Sequence, residues 1–103
     1  MIELTEDNLQ QYINDNEKVI VQFGATWCGG CRVMKPKFKR MAAENESIVF
    51  IYADAEKFIE SRGVATIKNL PTFVGFSNGE LVAKEVGTKS GVLESLLTDT
   101  NNG

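Results

Sequence analysis

Histidine is absent from this chain of 103 residues, and cysteine nearly so. Without histidine the chain cannot form a Ser-His-Asp or Cys-His catalytic site, or a zinc site that needs imidazole. The only cysteines, Cys28 and Cys31, are too few and too close together for the disulfide framework of a small secreted domain. In a reducing compartment, a Cys-x-x-Cys pair is more often catalytic or metal-binding than structural.

Long apolar runs and basic stretches are also missing. The longest apolar run, residues 48–53, is far shorter than the ~20 residues of a membrane-spanning helix. The first residues are acidic and lack the basic start and apolar stretch of a signal peptide. The 14 acidic residues outnumber the 11 basic ones, which does not indicate a nucleic-acid-binding protein. We therefore expect a soluble cytoplasmic protein that binds neither membranes nor nucleic acid.

The residues that are present suffice for one globular domain. Hydrophobic residues make up 43% of the chain and charged residues 24%, close to average usage. A chain of this size buries roughly 65% of its unfolded surface when it folds. We expect a single domain over residues 1–103, in which the polar residues 98–103 form a frayed tail.

Hydrophobic periodicity predicts an alternation of helices and strands. Helical spacing of apolar residues predicts four helices, at 6–15, at 31–44, near 58–63 and from 92 onward. Thr5 is the expected N-cap of the first helix. Apolar, β-branched runs predict buried strands at 18–24 and 48–54, with a short first strand at 2–4. Asn78-Gly79 predicts a hairpin between strands 72–77 and 81–86, because both central residues of a type I′ turn need a positive φ.

This order of elements predicts an α/β fold. Buried strands that alternate with helices pair in parallel through right-handed crossovers, and the hairpin adds an antiparallel edge. We therefore expect a central mixed β-sheet of four to five strands, flanked by helices on both faces.

The two cysteines lie where a buried strand passes into a helix. The first turn of a helix has unpaired N–H groups and a partial positive charge, which favour a thiolate over a thiol. Cys28, the more exposed, is the expected nucleophile, and Cys31 can attack the resulting mixed disulfide. The alternative, half of a zinc or iron–sulfur site, requires a second chain because this chain has no further cysteine or histidine.

The residues around the cysteines also have two interpretations. Trp27 can shield the thiolate and offer a flat contact surface, or it can be an aromatic residue at the boundary of the core. Gly29 and Gly30 leave room for a partner chain to approach the sulfur atoms.

Several motifs, in this order along the chain, together resemble the thioredoxin family. They are VIVQFGATWCGGC at 19–31, Pro36, Leu70-Pro71-Thr72-Phe73, Asn78-Gly79 and Val86-Gly87. The resemblance covers essentially the whole chain and implies the thioredoxin fold. It also implies that Cys28 is the attacking thiolate, Cys31 the resolving thiol and Pro71 a cis-proline facing them. The implied substrate groove consists of Trp27, Gly29, Gly30, Leu70, Pro71, Val86 and Gly87.

Four positions depart from the family pattern. Gly30 replaces a proline, which implies a changed reduction potential, and Gly24 replaces a tryptophan. Gln22 stands where the family has a buried aspartate that is thought to transfer a proton, and Tyr52 stands where a charged residue is common. We expect Gln22 and Tyr52 to satisfy each other by a hydrogen bond, unless Gln22 is merely a tolerated polar residue. Arg32, close to the sulfur atoms, is a further candidate for tuning them.

The resemblance implies a monomeric thiol–disulfide oxidoreductase that reduces protein disulfides. A thioredoxin reductase would return it to the dithiol form, since the chain has no nucleotide-binding motif of its own. No bound cofactor or metal is expected. Glutaredoxin-like or oxidase/isomerase activity is one alternative. A second is a thioredoxin-fold binding module with secondary redox chemistry.

Overall fold

The computed structural model describes all residues, Met1–Gly103, as four helices around one five-stranded sheet. In chain order the elements are β1 (Ile2–Glu3), α1 (Leu9–Asp15), β2 (Lys18–Gly24), α2 (Gly29–Glu44), β3 (Val49–Asp54), α3 (Ile59–Arg62), β4 (Thr72–Ser77), β5 (Glu80–Val86) and α4 (Val92–Asn102). The strands lie in the order β1-β3-β2-β4-β5. The first three are parallel, and β4 and β5 are antiparallel to their neighbours, so the predicted mixed sheet is confirmed.

Alternate residues of the central strands enter two separate cores, one on each face of the sheet. On one face, Val19, Val21 and Phe23 of β2 pack with α1 and with residues around α3. On the other face, Ile20 of β2 packs with residues of α2 and α4. Gln22, two residues further along β2, points to the same side as Ile20, because successive side chains alternate across a strand. This places Gln22 beneath α2.

Helix α1 begins later than the sequence predicts, and Thr5 does not cap it. The helix starts at Leu9, and no side chain of its own first turn caps it. Instead, the Leu9 N–H donates to Ser61 Oγ at 3.1 Å, and the Asp7 carboxylate accepts from the N–H groups of Glu60 and Ser61. The start of α1 is therefore determined by contacts with α3, more than fifty residues away in the sequence.

Helix α2 begins two residues earlier than predicted. Its N-cap is Cys28, whose Sγ accepts a hydrogen bond from the Cys31 N–H. The pattern of apolar residues could not show this start, because the first turn contains two glycines. The helix continues through Pro36 to Glu44.

The hairpin prediction is confirmed, and the prediction of a frayed tail is wrong. Asn78 and Gly79 have φ values of 52° and 84°, as the turn requires. Helix α4, however, continues to Asn102, and Thr100 is completely buried. The last turn is held because Lys18 Nζ donates to the carbonyl oxygens of Thr100 and Gly103, at 3.0 and 3.2 Å.

No helix of the structure combines the length and the apolar character needed to cross a bilayer.

Candidate redox site

The two cysteines form a disulfide at the start of α2. Cys28 and Cys31 are bonded through their sulfur atoms, and their Cα atoms are 5.3 Å apart. Cys28 Sγ is also 3.1 Å from the Cys31 nitrogen that donates to it. Cys28 is 6% exposed and Cys31 is 1% exposed, so Cys28 is the more accessible of the pair, as predicted. A sulfur that accepts a helix N–H is well placed to become a thiolate once the disulfide opens.

Two distant loops lie beside the disulfide and bring together most of the predicted groove residues. Leu70 packs against the small cluster of Ala25, Cys28 and Cys31. The Leu70–Pro71 peptide bond is cis, as the resemblance implied. The Gly87 N–H donates to the Pro71 carbonyl at 3.0 Å, which ties the loop after β5 to the loop before β4.

The two glycines between the cysteines have different surroundings. A Cβ on Gly29 would meet nothing within 4 Å, so space beside it is open. A Cβ on Gly30 would lie 3.0 Å from the Thr88 methyl group and 3.2 Å from the Pro71 ring. Thr88 was not among the predicted site residues, although it directly follows the Val86-Gly87 motif. Gly30 therefore permits a close approach of two other segments to the active-site turn.

Trp27 is exposed, and Glu56 holds its ring in place. The Trp27 side chain is 64% exposed, and its Nε1–H donates to Glu56 Oε1 at 2.8 Å. Glu56 follows β3 in a turn in which Asp54 accepts from the N–H groups of Glu56 and Lys57. Sequence reasoning missed Glu56, and no local signal marks an acidic residue 29 positions away as a tryptophan partner.

The predicted hydrogen bond between Gln22 and Tyr52 is not formed. The two residues are register partners on the parallel strands β2 and β3. However, Gln22 Nε2 donates to the Cys31 carbonyl at 3.1 Å, and Gln22 Oε1 is buried without any partner. The amide therefore joins the sheet to the backbone of the inner cysteine instead of to Tyr52.

The Tyr52 hydroxyl occupies the space that Gly24 leaves. A Cβ on Gly24 would overlap the Tyr52 hydroxyl and would lie 3.2 Å from Cys31 Cβ. The tyrosine hydroxyl thus lies close to the inner cysteine, where the family pattern has a tryptophan from β2. Burial raises the pKa of Tyr52 above its usual value of 10.0, and the Lys35 ammonium opposes this shift.

A cavity of about 450 Å³ with several charged residues in its lining adjoins this tyrosine. Tyr52, Asp54, Lys35 and Arg32 are among the residues that line it. Arg32 Nη2 donates to the Thr26 carbonyl at 3.0 Å, and the structure shows no hydrogen bond from Arg32 to either sulfur. Arg32 therefore steadies the loop before Cys28 and contributes positive charge near it.

Comparisons with known proteins agree with this geometry. The family model described as Thioredoxin matches residues 1–99. A thioredoxin of Mycoplasmoides gallisepticum is 32% identical over 79 residues, which cover 77% of this chain and 79% of that protein. Thioredoxin H2-2 of Oryza sativa subsp. japonica is 37% identical over 81 residues, or 79% of this chain. The match spans only 60% of the length of this rice protein.

Solved thioredoxin structures superpose on nearly the whole chain. A thioredoxin of Plasmodium falciparum aligns with a TM-score of 0.87 and 29% identity, over 95% of this chain and 97% of that one. Fasciola hepatica thioredoxin aligns with a TM-score of 0.86 and 29% identity, over 96% of this chain and 99% of that one. By sequence, by topology and by the disulfide at the start of α2, this chain belongs to the thioredoxin family.

Proposed function

We propose that this protein is a thiol–disulfide oxidoreductase that reduces disulfides in protein substrates. The observation that carries the proposal is the Cys28–Cys31 disulfide at the start of α2, with Cys28 Sγ accepting the Cys31 N–H. A helix start stabilises a thiolate at Cys28, and the partner needed to resolve a mixed disulfide is already bonded to it.

The reaction transfers two electrons from the dithiol to the substrate. The Cys28 thiolate attacks one sulfur of the substrate disulfide and expels the other sulfur, which takes up a proton. Cys31 loses its proton and attacks Cys28 Sγ in the mixed disulfide, which releases the second substrate thiol. The substrate gains two thiols, and the protein is left with the Cys28–Cys31 disulfide.

The groove around the disulfide suits an extended substrate segment. The backbone N–H and carbonyl of Leu70 make no hydrogen bond within the chain, although Leu70 packs against the cysteines. Such unpaired backbone groups can pair with a substrate strand. Val86, the last residue of β5, is 46% exposed, and the exposed Trp27 directly before Cys28 offers a flat apolar face.

We further propose that a thioredoxin reductase recharges the protein, which acts as a monomer in the cytoplasm. The two cysteines are both in the redox pair, which suits a compartment that keeps thiols reduced. Family membership supports a reductase as the source of electrons.

A disulfide reduction assay with insulin tests the proposal. Activity is expected with a thioredoxin reductase as electron donor, and Cys28→Ser should abolish it, while the matched exposed change Ser90→Ala should not. The Cys31→Ser variant should accumulate a mixed disulfide with insulin. Activity with glutathione alone would instead favour a glutaredoxin-like enzyme. If the Cys28→Ser variant still performed the protein's function toward its partner proteins, a binding module would be favoured.

The acidity of Cys28 provides an independent test. The alkylation rate of the reduced protein, followed against pH, should report a Cys28 pKa below the value of about 8.5 for free cysteine. A value equal to that of a short cysteine peptide would contradict the proposal.

A further inference from the structure

The site contains a buried hydrogen-bond acceptor that nothing in the structure satisfies. Gln22 is completely buried, and its Oε1 has no hydrogen-bond partner. No other buried side-chain nitrogen or oxygen of the chain lacks a partner. An unpaired buried polar group is destabilising, and in native structures it calls for a specific explanation.

The orientation of the Gln22 amide is determined by its neighbour. The Cys31 carbonyl can only accept a hydrogen bond, so the amide nitrogen must face it, and the distance is 3.1 Å. Oε1 belongs to the same planar amide, so it lies one amide width from the nitrogen that donates to the Cys31 carbonyl. The register partner Tyr52 does not donate to Oε1, because its hydroxyl lies over Gly24.

Reduction of the disulfide gives Cys31 a thiol, which can donate a hydrogen bond. In the disulfide form Cys31 Sγ carries no proton, and Cys31 is only 1% exposed to solvent. We propose that Gln22 Oε1 accepts a hydrogen bond from the Cys31 thiol of the reduced protein. Gln22 is then a positioning residue that favours the dithiol over the disulfide. This inference rests on the proposed dithiol–disulfide chemistry.

The bonding change follows from the stoichiometry of reduction. Two thiol molecules, such as glutathione, donate two electrons, become joined by one disulfide, and transfer two protons to the protein. The Cys28–Cys31 bond breaks, and at a pH below its pKa Cys31 keeps one of these protons as S–H. The acceptor on Gln22 is thus unpaired in the oxidised form and paired in the reduced form.

Replacement of Gln22 by Leu or Met tests the inference, since either residue keeps most of the volume without the amide. The wild-type protein and the variants are equilibrated with glutathione and glutathione disulfide at neutral pH. The equilibrium constant for reduction should fall about tenfold in the variants, a shift of the potential by about 30 mV to more negative values. The loss of the bond from Nε2 to the Cys31 carbonyl affects both redox forms and does not by itself move this constant.

Thr100→Val is the matched control. Thr100 is another fully buried polar residue, and its hydroxyl donates to the Leu96 carbonyl, away from the cysteines. This change should lower the stability of both redox forms without changing the equilibrium constant. An unchanged constant in Gln22→Leu and Gln22→Met, a shift to less negative potential, or an equal shift in Thr100→Val would overturn the inference.

Unfolding measurements separate this inference from the proposed function. Urea unfolding of the oxidised and the chemically reduced proteins requires no catalysis. Gln22→Leu should raise the unfolding equilibrium constant of the reduced form about tenfold more than that of the oxidised form. Failure of the wild-type protein to reduce insulin would refute the proposed function, whereas equal destabilisation of both forms would refute the role of Gln22.

An infrared measurement detects the hydrogen bond directly. In reduced Cys28→Ser, Cys31 is the single thiol of the chain, so the spectrum contains one S–H stretching band. That band should lie at a lower frequency than in Cys28→Ser/Gln22→Leu, because donation to an oxygen weakens the S–H bond. Identical bands would show that Cys31 does not donate to Gln22.

Discussion

Glu56 illustrates how a residue outside the cysteine motif can prepare a binding surface, because it holds Trp27 in place. An exposed tryptophan loses conformational freedom when it binds a partner, and a side chain already held in one orientation loses less. Glu56 provides this restraint through its 2.8 Å hydrogen bond to the indole nitrogen. The cysteine motif predicted Trp27 as a contact residue, but the partner that orients it is recognisable only in the folded chain.

Replacing Glu56 by Ala should therefore weaken substrate binding without unfolding the protein. We expect kcat/KM for insulin reduction to fall about two- to fivefold, mainly through KM, since one hydrogen bond contributes about 0.5–1.5 kcal/mol. The free energy of unfolding should change by less than about 0.5 kcal/mol, as for most surface substitutions. Glu60→Ala is the control, and an equal loss of activity in that variant would contradict a specific role of Glu56.

At the scale of elements, a large side chain on β3 compensates for a missing side chain on β2, next to the inner cysteine. Gly24 at the end of β2 provides no side chain, and Tyr52 on β3 fills the resulting space. The sequence showed both departures from the family pattern separately. Only the pairing of the strands shows that one compensates for the other.

The Gly24 and Tyr52 positions should therefore be energetically coupled. Gly24→Ala forces the Tyr52 hydroxyl to move and should lower the free energy of unfolding by about 1–3 kcal/mol. In the Tyr52→Phe background the same change should cost less, with a coupling energy of at least about 0.5 kcal/mol from a urea-unfolding double-mutant cycle. Additive effects would show that the two residues do not share this space.

A second contact between elements joins β1 to α2. The Glu3 carboxylate forms an ion pair with Lys35 Nζ, which also lies 4.3 Å from the centre of the Tyr52 ring. The hydrogen bond and the positive charge of Lys35 lower the pKa of Glu3 below its usual value of 4.5. Both side chains are more than a third exposed, so solvent weakens the pair.

This pair predicts a small, pH-dependent contribution to stability. Because the folded-state pKa of Glu3 is lowered, the contribution is present above about pH 4.5 and is lost as pH falls through the folded-state pKa. Glu3→Gln should lower the free energy of unfolding by about 0.2–1 kcal/mol at neutral pH and by nothing in acid, as followed by urea unfolding at several pH values. Glu6→Gln, at an exposed position without an ion pair, should show no such difference.

At the scale of the whole molecule, α4 closes the sheet face that carries the redox site. Its last turn packs so tightly on β4 that a Cβ on Gly75 would overlap the Thr100 hydroxyl. Lys18 at the start of β2 binds the carbonyl end of the same helix. The polar composition of residues 98–103 predicted a frayed tail because composition contains no information about these distant partners.

Removal of residues 98–103 should therefore destabilise the fold. The deletion exposes part of the core face and leaves Lys18 without its carbonyl partners, so we expect a loss of about 2 kcal/mol or more in the free energy of unfolding. Urea unfolding measures the loss, and Thr98→Ala, at an exposed position in the same turn, should change stability by less than about 0.5 kcal/mol. An unchanged midpoint after the deletion would mean that the tail does not contribute to the fold.

Local patterns in the sequence determined the class of fold, the central strands, the hairpin and the cysteine pair. These features depend on the side-chain period of a strand, the positive φ of Asn-Gly and the spacing of two thiols, all of which act between near neighbours in the chain. Tertiary structure alone decided the start of α1, where Leu9 donates to Ser61, and the orientation of Trp27 by Glu56. It also decided the ordered end of α4 and the unpaired oxygen of Gln22. Each of these results from an atom contributed by a residue distant in the sequence, and hydrogen bonds and close packing depend on distance in space.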